Sequence, residues 1–225
     1  MTRPISRRIL WIFLAAFSVA GAAAAETVAG NGVVRTQERV VSSFSGITLG
    51  IPAKVEVTIG ATEALTIEAD ENLLPLIETG VKRGTLEIKP VRRNLQLEAR
   101  AIRIVVQARR IEELGIAGAG SITAGALSAK QLRLDISGSG NVRVDGTATR
   151  FVASIAGSGD IAASRLVADD VDVTIAGAGA VQVAARSRLD VTIAGSGGVT
   201  YYGDPAVSRT IVGAGAIKRA GPLPQ

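Results

Sequence analysis

The stretch Val171-Asp-Val-Thr-Ile-Ala-Gly-Ala-Gly-Ala-Val181 alternates aliphatic with polar or small residues, breaks at a Gly-small-Gly triplet and resumes on an aliphatic residue. The pattern recurs through the second half of the chain. Triplets stand at Gly118-Ala119-Gly120, Gly138-Ser139-Gly140, Gly157-Ser158-Gly159, Gly177-Ala178-Gly179, Gly195-Ser196-Gly197 and Gly213-Ala214-Gly215, spaced by 20, 19, 20, 18 and 18 residues. Two positions before each triplet the residue is Ile: Ile116, Ile136, Ile155, Ile175, Ile193 and Ile211. Four positions after each first Gly it is again aliphatic: Ile122, Val142, Ile161, Val181, Val199 and Ile217. Self-similarity at such a period is the signature of stacked repeat units.

Period 2 runs backward from each Ile. Leu114, Leu134, Ala153, Val173 and Val191 lie four residues before their triplets, and Leu132, Phe151, Val171, Leu189 and Val207 lie six before. The residues between are mostly polar, so each unit opens with a half-buried strand. The triplet then turns the chain into a second short strand. Glycine permits a positive φ at such a corner, and its missing Cβ lets successive corners stack closely. Units that each bury one face against the next predict a β-solenoid, each unit forming one coil of a parallel β-helix. The six isoleucines then form one internal column, a main source of stability at about 1.5–3 kcal/mol for each buried side chain. Glu112 in the first unit and Arg209 in the last break the inward pattern. Terminal units of a stack need polar ends.

The chain has 225 residues, 47% hydrophobic, with neither Cys nor His. That length suits one or two domains with a real core. Missing Cys excludes disulfides, Cys-ligated zinc and a lipid-modified N-terminal Cys. Missing His removes the usual general base and every Ser-His or Cys-His nucleophile pair. At the N-terminus Arg3, Arg7 and Arg8 precede an apolar run from Ile9 to Ala20 and then Ala23-Ala24-Ala25. Residues 1–25 therefore read as an export signal cleaved before Glu26. The run is shorter than the roughly 20 residues of a membrane-spanning helix. Cleavage leaves 22 basic and 20 acidic residues, and only Phe44, Phe151, Tyr201 and Tyr202 as aromatics. Small net charge, few stacking rings and export all argue against nucleic acid as a partner. The expected location is the periplasm, the cell surface or the medium.

Earlier in the chain, Lys54-Val-Glu-Val-Thr-Ile59 and Leu65–Ala69 alternate as strands, and Thr85–Lys89 and Ile102–Val106 read likewise. Asp70 is placed to cap a short helical segment, Glu71–Ile77, with Gly80 closing it. Residues 39–111 are thus expected to form an irregular β layer that caps a solenoid spanning residues 112–220.

The order of Arg39-Val-Val-Ser-Ser-Phe44 with Ile47, Ala69-Asp-Glu-Asn-Leu-Leu74, Gly84-Thr-Leu-Glu-Ile88 and the Gly-Ser-Gly units resembles the head GIN domain family of auto-transporter adhesins. The resemblance covers residues 39–220. It implies an exported, all-β, right-handed parallel β-helix-like solenoid, related in shape to pectin lyases, without catalytic residues and with a role in adhesion. No translocator-barrel pattern or sortase-type anchor follows the last repeat in Lys218-Arg-Ala-Gly-Pro-Leu-Pro-Gln225. Surface attachment is therefore expected to be non-covalent or supplied by a partner.

Several residues are candidates for chemistry. The triplets lack any phosphate-loop pattern and read as corners. Gly157-Ser-Gly-Asp160 is similar to calcium-binding nonapeptide repeats, but the Asp occurs in one unit only, so no metal or other cofactor is expected. Asp172 and Asp190 fall at the same position of consecutive units, where stacked carboxylates approach the roughly 5 Å separation of retaining glycosidases. Arg150, Asp170 and Arg188 form a neighbouring row of alternating sign, which keeps both carboxylates ionised when a general acid needs the opposite. No catalytic residue is therefore assigned. Between Lys82 and Arg110 lie nine basic residues (Lys82, Arg83, Lys89, Arg92, Arg93, Arg100, Arg103, Arg109, Arg110) against Glu87 and Glu98. Such a segment suits an anionic glycan or envelope component. Tyr201 falls at an inward position and is expected in the core. The reading is an exported, non-catalytic binding or adhesion module of the cell envelope. Its alternatives are a polysaccharide-active enzyme using surface carboxylates, and a structural or signalling envelope component.

Overall fold

The computed structural model describes residues 26–224, and the expected signal, residues 1–25, lies outside them. From the N-terminus come β1 (Glu26–Ala29), β2 (Val34–Arg39), β3 (Gly46–Leu49), β4 (Lys54–Ile59) and β5 (Ala64–Asp70). A single 3-10 turn, Leu74–Leu76, leads to β6 (Ile77–Lys82), β7 (Thr85–Pro90), β8 (Leu95–Glu98) and β9 (Arg103–Ala108). The repeats supply β10 (Glu113–Gly118), β11 (Ser121–Gly138), β12 (Asn141–Gly157), β13 (Asp160–Gly177) and β14 (Ala180–Gly195). Last are β15 (Gly198–Tyr202), β16 (Ala206–Gly213) and β17 (Ala216–Gly221).

The repeats stack in parallel register, as their periodicity requires. Ile116 pairs with Ile136, Ile136 with Ile155, Ile155 with Ile175, Ile175 with Ile193 and Ile193 with Ile211. On the second face Ile122, Val142, Ile161, Val181, Val199 and Ile217 pair in sequence. All-β architecture and a coiled solenoid are therefore the observed fold. Unequal unit lengths are absorbed at register shifts beyond the second strand, between Ala124 and Leu127 and between Ala163 and Val167. The triplet corner is thereby left identical from coil to coil.

The N-terminal layer caps this stack, and part of it is itself coiled. β3 and β4 lie parallel on β10 and on the start of β11, so Leu49 and Val55 extend the two aliphatic columns. β7 and β9 form the next coil out, carrying Ile88 onto Leu49 and Ile104 onto Val55. Chain order and stacking order therefore differ, because the 46–59 coil sits between the 85–108 coil and the repeats. Antiparallel strands end the stack: β6 on β7, and β5 then β2 on β9. These reversed strands cover the outermost columns, and β6 and β2 become the edge strands at this end. A separate parallel pair, β1 on β8, covers the adjoining corner.

Two local expectations fail. Asp70 does not cap a helix: it is the last residue of β5, paired with Val34, and the 3-10 turn has no side-chain cap. Gly80 lies within β6. Asp-Glu-Asn-Leu-Leu looks locally like a helix start, but the antiparallel ladder takes Asp70 and leaves too few residues for α-helical turns. Glu112 does not mark an end of the stack either, because β3 covers its unit. Ile111 is buried there and Glu112 turns outward.

Gly177 has φ +132°, and a Cβ on it would collide with the Gly157 carbonyl oxygen. Gly177→Ala therefore combines left-handed strain of about 1–2 kcal/mol with overpacking of about 1–3 kcal/mol. Thermal denaturation should show a large fall in Tm for Gly177→Ala and little change for Gly80→Ala, where nothing lies within 4 Å. Ile175→Asp places an unpaired charge in the fully buried column and should abolish the cooperative transition.

Candidate functional site

The stacking brings together the carboxylates that the repeats align. Asp172 and Asp190 are register partners on β13 and β14, and Arg150, Asp170 and Arg188 form the adjacent row. The ion pairs run along the row, across it to the next coil and within one strand. Arg150 Nη2 donates to Asp172 Oδ2 in the neighbouring coil. Arg188 lies 3.2 Å from Asp190 and 4.0 Å from both Asp170 and Asp172. Both candidate carboxylates thus face guanidinium groups, and the side chains are partly exposed. The cluster forms a charged ridge on the outward face of β12, β13 and β14.

The basic segment is spread over the N-terminal coil and cap. Most of its cations meet acids from elsewhere in the chain: Arg92 with Glu26 at 2.9 Å, Arg103 with Glu56 at 3.0 Å and Arg109 with Glu63 at 3.2 Å. Arg110 lies 3.5 Å from Glu112. Lys82 and Lys89 both face Glu87, at 3.4 and 3.0 Å. The hydrogen bond from Lys89 holds the Glu87 carboxyl below its ordinary range and the Lys89 ammonium above its own. Arg83, Arg93 and Arg100 have no ion-pair partner among the described residues, and all three sit in turns at this end of the rod. The sequence names the nine cations but gives no signal for their partners, because Glu26, Glu56 and Glu63 reach them only through the fold.

Other candidates resolve into structure. Asp160 Oδ1 accepts a hydrogen bond from the Ala180 amide of the next coil at 3.1 Å. Among the described residues no three acidic side chains converge where a metal ion could be held. Tyr201 is partly buried against the core, in register with Val183. No helix among the described residues is long and apolar enough to cross a membrane.

The family model described as "Putative auto-transporter adhesin, head GIN domain" matches residues 43–205. The chain belongs to this family. Solved structures of similar shape agree with the solenoid. A "putative adhesin" from Bacteroides fragilis superposes with a TM-score of 0.70 at 22% identity, covering 86% of this chain and 100% of that one. A "putative lipid binding protein" from Parabacteroides distasonis gives 0.50 at 27% identity, over 87% of this chain and all (100%) of its own. A "putative adhesin" from Parabacteroides merdae gives 0.50 at 20% identity, over 87% and 100%. A comparison with curated proteins finds no match. Membership of a head GIN adhesin family and the solenoid architecture thus replace the resemblance as findings.

Glu87 has a depressed folded-state pKa, so its pairing stabilises the protein above the unfolded-state pKa and is lost as pH falls through the folded value. The Tm difference between wild type and Glu87→Gln should therefore be present at neutral pH and vanish in acid. By the same reasoning the raised Lys89 pKa gives a contribution present at neutral pH and lost only in strong alkali. A difference that grew on acidification would contradict the assignment.

Proposed function

We propose that this head GIN domain is an exported, non-catalytic binding module of the cell envelope, contacting anionic groups through the turns at its N-terminal end. The observation that carries the non-catalytic reading is the pairing of Asp172 and Asp190 with Arg150 and Arg188. A carboxylate engaged by a neighbouring guanidinium serves as half of an ion pair rather than standing free to meet a substrate. Arg83, Arg93 and Arg100 supply the anion contact, since the other cations of the Lys82–Arg110 segment are engaged by Glu side chains. The ligand chemistry is an anionic group displayed on a polymer or a surface, either an acidic glycan or a phospholipid headgroup. The lipid-binding name of the relative from Parabacteroides distasonis supports including the second. Export rests on the signal reading of residues 1–25 and on the family's adhesin description.

The test uses the chain from residue 26 on immobilised acidic and neutral polysaccharides, and on vesicles with and without anionic lipid, with released sugars assayed throughout. Retention that falls with salt, and falls again for Arg83→Ala, Arg93→Ala and Arg100→Ala combined, is expected without product release. Polymer cleavage lost in Asp172→Ala would hand the function to the carboxylates instead. Absence of both retention and cleavage would leave a structural or signalling role.

A further inference from the structure

The two ends of the rod are finished differently. The outer strands β6 and β2 keep an unpaired edge at the N-terminal end too, but antiparallel β6 and β5 there cover the two columns and bury Ile88 and Ile104 fully. At the C-terminal end nothing among the described residues does so. β16 pairs only with β14, and β17 only with β15, leaving the outer backbone edge of both strands unpaired. Every residue of β16 is exposed. The aliphatic column that is fully buried at Ile193 (0% exposed) ends at Ile211 (36%), with Val207 (41%) beside it in the same inward register. Ile217 ends the column of the second face, partly uncovered.

The inward row of this last coil is not uniformly apolar. Arg209 takes the register place that Val191 holds one coil earlier, and Arg219 the place below Tyr201. Arg219 reaches Asp204 only at 3.9 Å, and Arg209 and Lys218 have no ion-pair partner among the described residues. The end therefore offers a free strand edge, an unfinished apolar column and uncompensated positive charge. A second copy stacked end to end would add its own Arg209 and Arg219 to the contact, concentrating like charge where hydration is poor. The same cations would be satisfied by carboxylates. They thus reject self-association and select an acidic occupant.

We propose that the open C-terminal end of the solenoid is a docking edge for an extended, acidic strand of a partner protein, which adds to β16 as the next coil. Backbone hydrogen bonds to the free edge hold the strand. Its aliphatic side chains cover Val207 and Ile211, and a carboxylate between them on the same face pairs with Arg209, as in other cases of β-strand addition. The inference extends the binding role to a second surface and does not depend on the anion contact at the opposite end.

The test measures fluorescence anisotropy of labelled peptides carrying Val-Thr-Glu-Thr-Val (Val/Glu) or Val-Thr-Lys-Thr-Val (Val/Lys), which put one charge between two Val on a single face, against the chain from residue 26. The Val/Glu peptide should bind in a salt-sensitive manner, and the Val/Lys peptide should not. Arg209→Glu should weaken the acidic peptide about tenfold, while Lys130→Glu, exposed on β11, leaves it unchanged. A backbone N-methylated Val/Glu peptide should fail to bind. Because the last coil is exposed, these variants should melt like wild type, which separates lost docking from lost fold. Equal binding of both peptides, no binding of either, or full binding by Arg209→Glu would overturn the proposal. So would sedimentation showing a wild-type dimer that Ile211→Asp dissociates, because a second copy would then be the occupant.

Discussion

Everything else in this molecule depends on how closely two polypeptide corners approach. At four of the triplets the amide of the middle residue donates to the carbonyl of the first glycine one coil earlier: Ser139 to Gly118, Ser158 to Gly138, Ala178 to Gly157 and Ser196 to Gly177, each at 2.9 Å. A Cβ on the stacked first glycine would occupy the space of that same oxygen. The third glycine is restricted differently. On Gly197 a Cβ would meet Ile175 Cγ2 at 2.6 Å and the Gly179 oxygen at 2.8 Å, without any positive φ. One glycine therefore serves conformation and approach together, and the other serves approach alone.

A corner fixed in this way fixes the register on both sides of it. The strand entering each triplet stacks Ile on Ile, and the strand leaving it stacks Val or Ile likewise, so one face of every coil joins a continuous core. A slip of one residue would turn the whole column to solvent, so the aliphatic rows and the glycine ladder enforce each other. The same registration delivers Arg150, Asp170, Asp172, Arg188 and Asp190 to one ridge, where partly exposed pairs contribute little stability individually. Its consequence is geometric: Asp172 and Asp190 are each engaged by a guanidinium of their own or a neighbouring coil.

The second half was legible because its constraints repeat. Six copies of a triplet, with an Ile at a fixed offset, report a stacking that no single copy could. The first half was legible only as strands. Nothing local to Lys54–Ile59 says that it inserts between the 85–108 coil and the repeats, because that placement is set by contacts far apart in sequence. Asp70 misled for the same reason, since a local capping pattern lost to a long-range ladder. Charge was readable as a count and as a row, but not as pairings. Arg92 and Arg103 were visible in the basic segment, while Glu26 and Glu56, which neutralise them, lie well outside it. Arg209 was readable as a polar terminal residue, and the structure adds that the edge around it is unpaired.

In-register stacking of whole coils is the claim on which the ridge, the column and the two unlike ends all rest. The absence of native Cys makes it directly measurable by paired cysteines. Ala156 and Ala176 are register partners in adjacent coils, and Ala194 lies one coil further on. Neighbouring strands are about 4.8 Å apart, within the 4.4–6.8 Å Cα separation of a disulfide, whereas two coils span about twice the strand spacing. Mild oxidation should cross-link Ala156→Cys/Ala176→Cys quantitatively and leave Ala156→Cys/Ala194→Cys as free thiols. Cross-linking of the second pair in preference to the first would contradict the stacked-coil account.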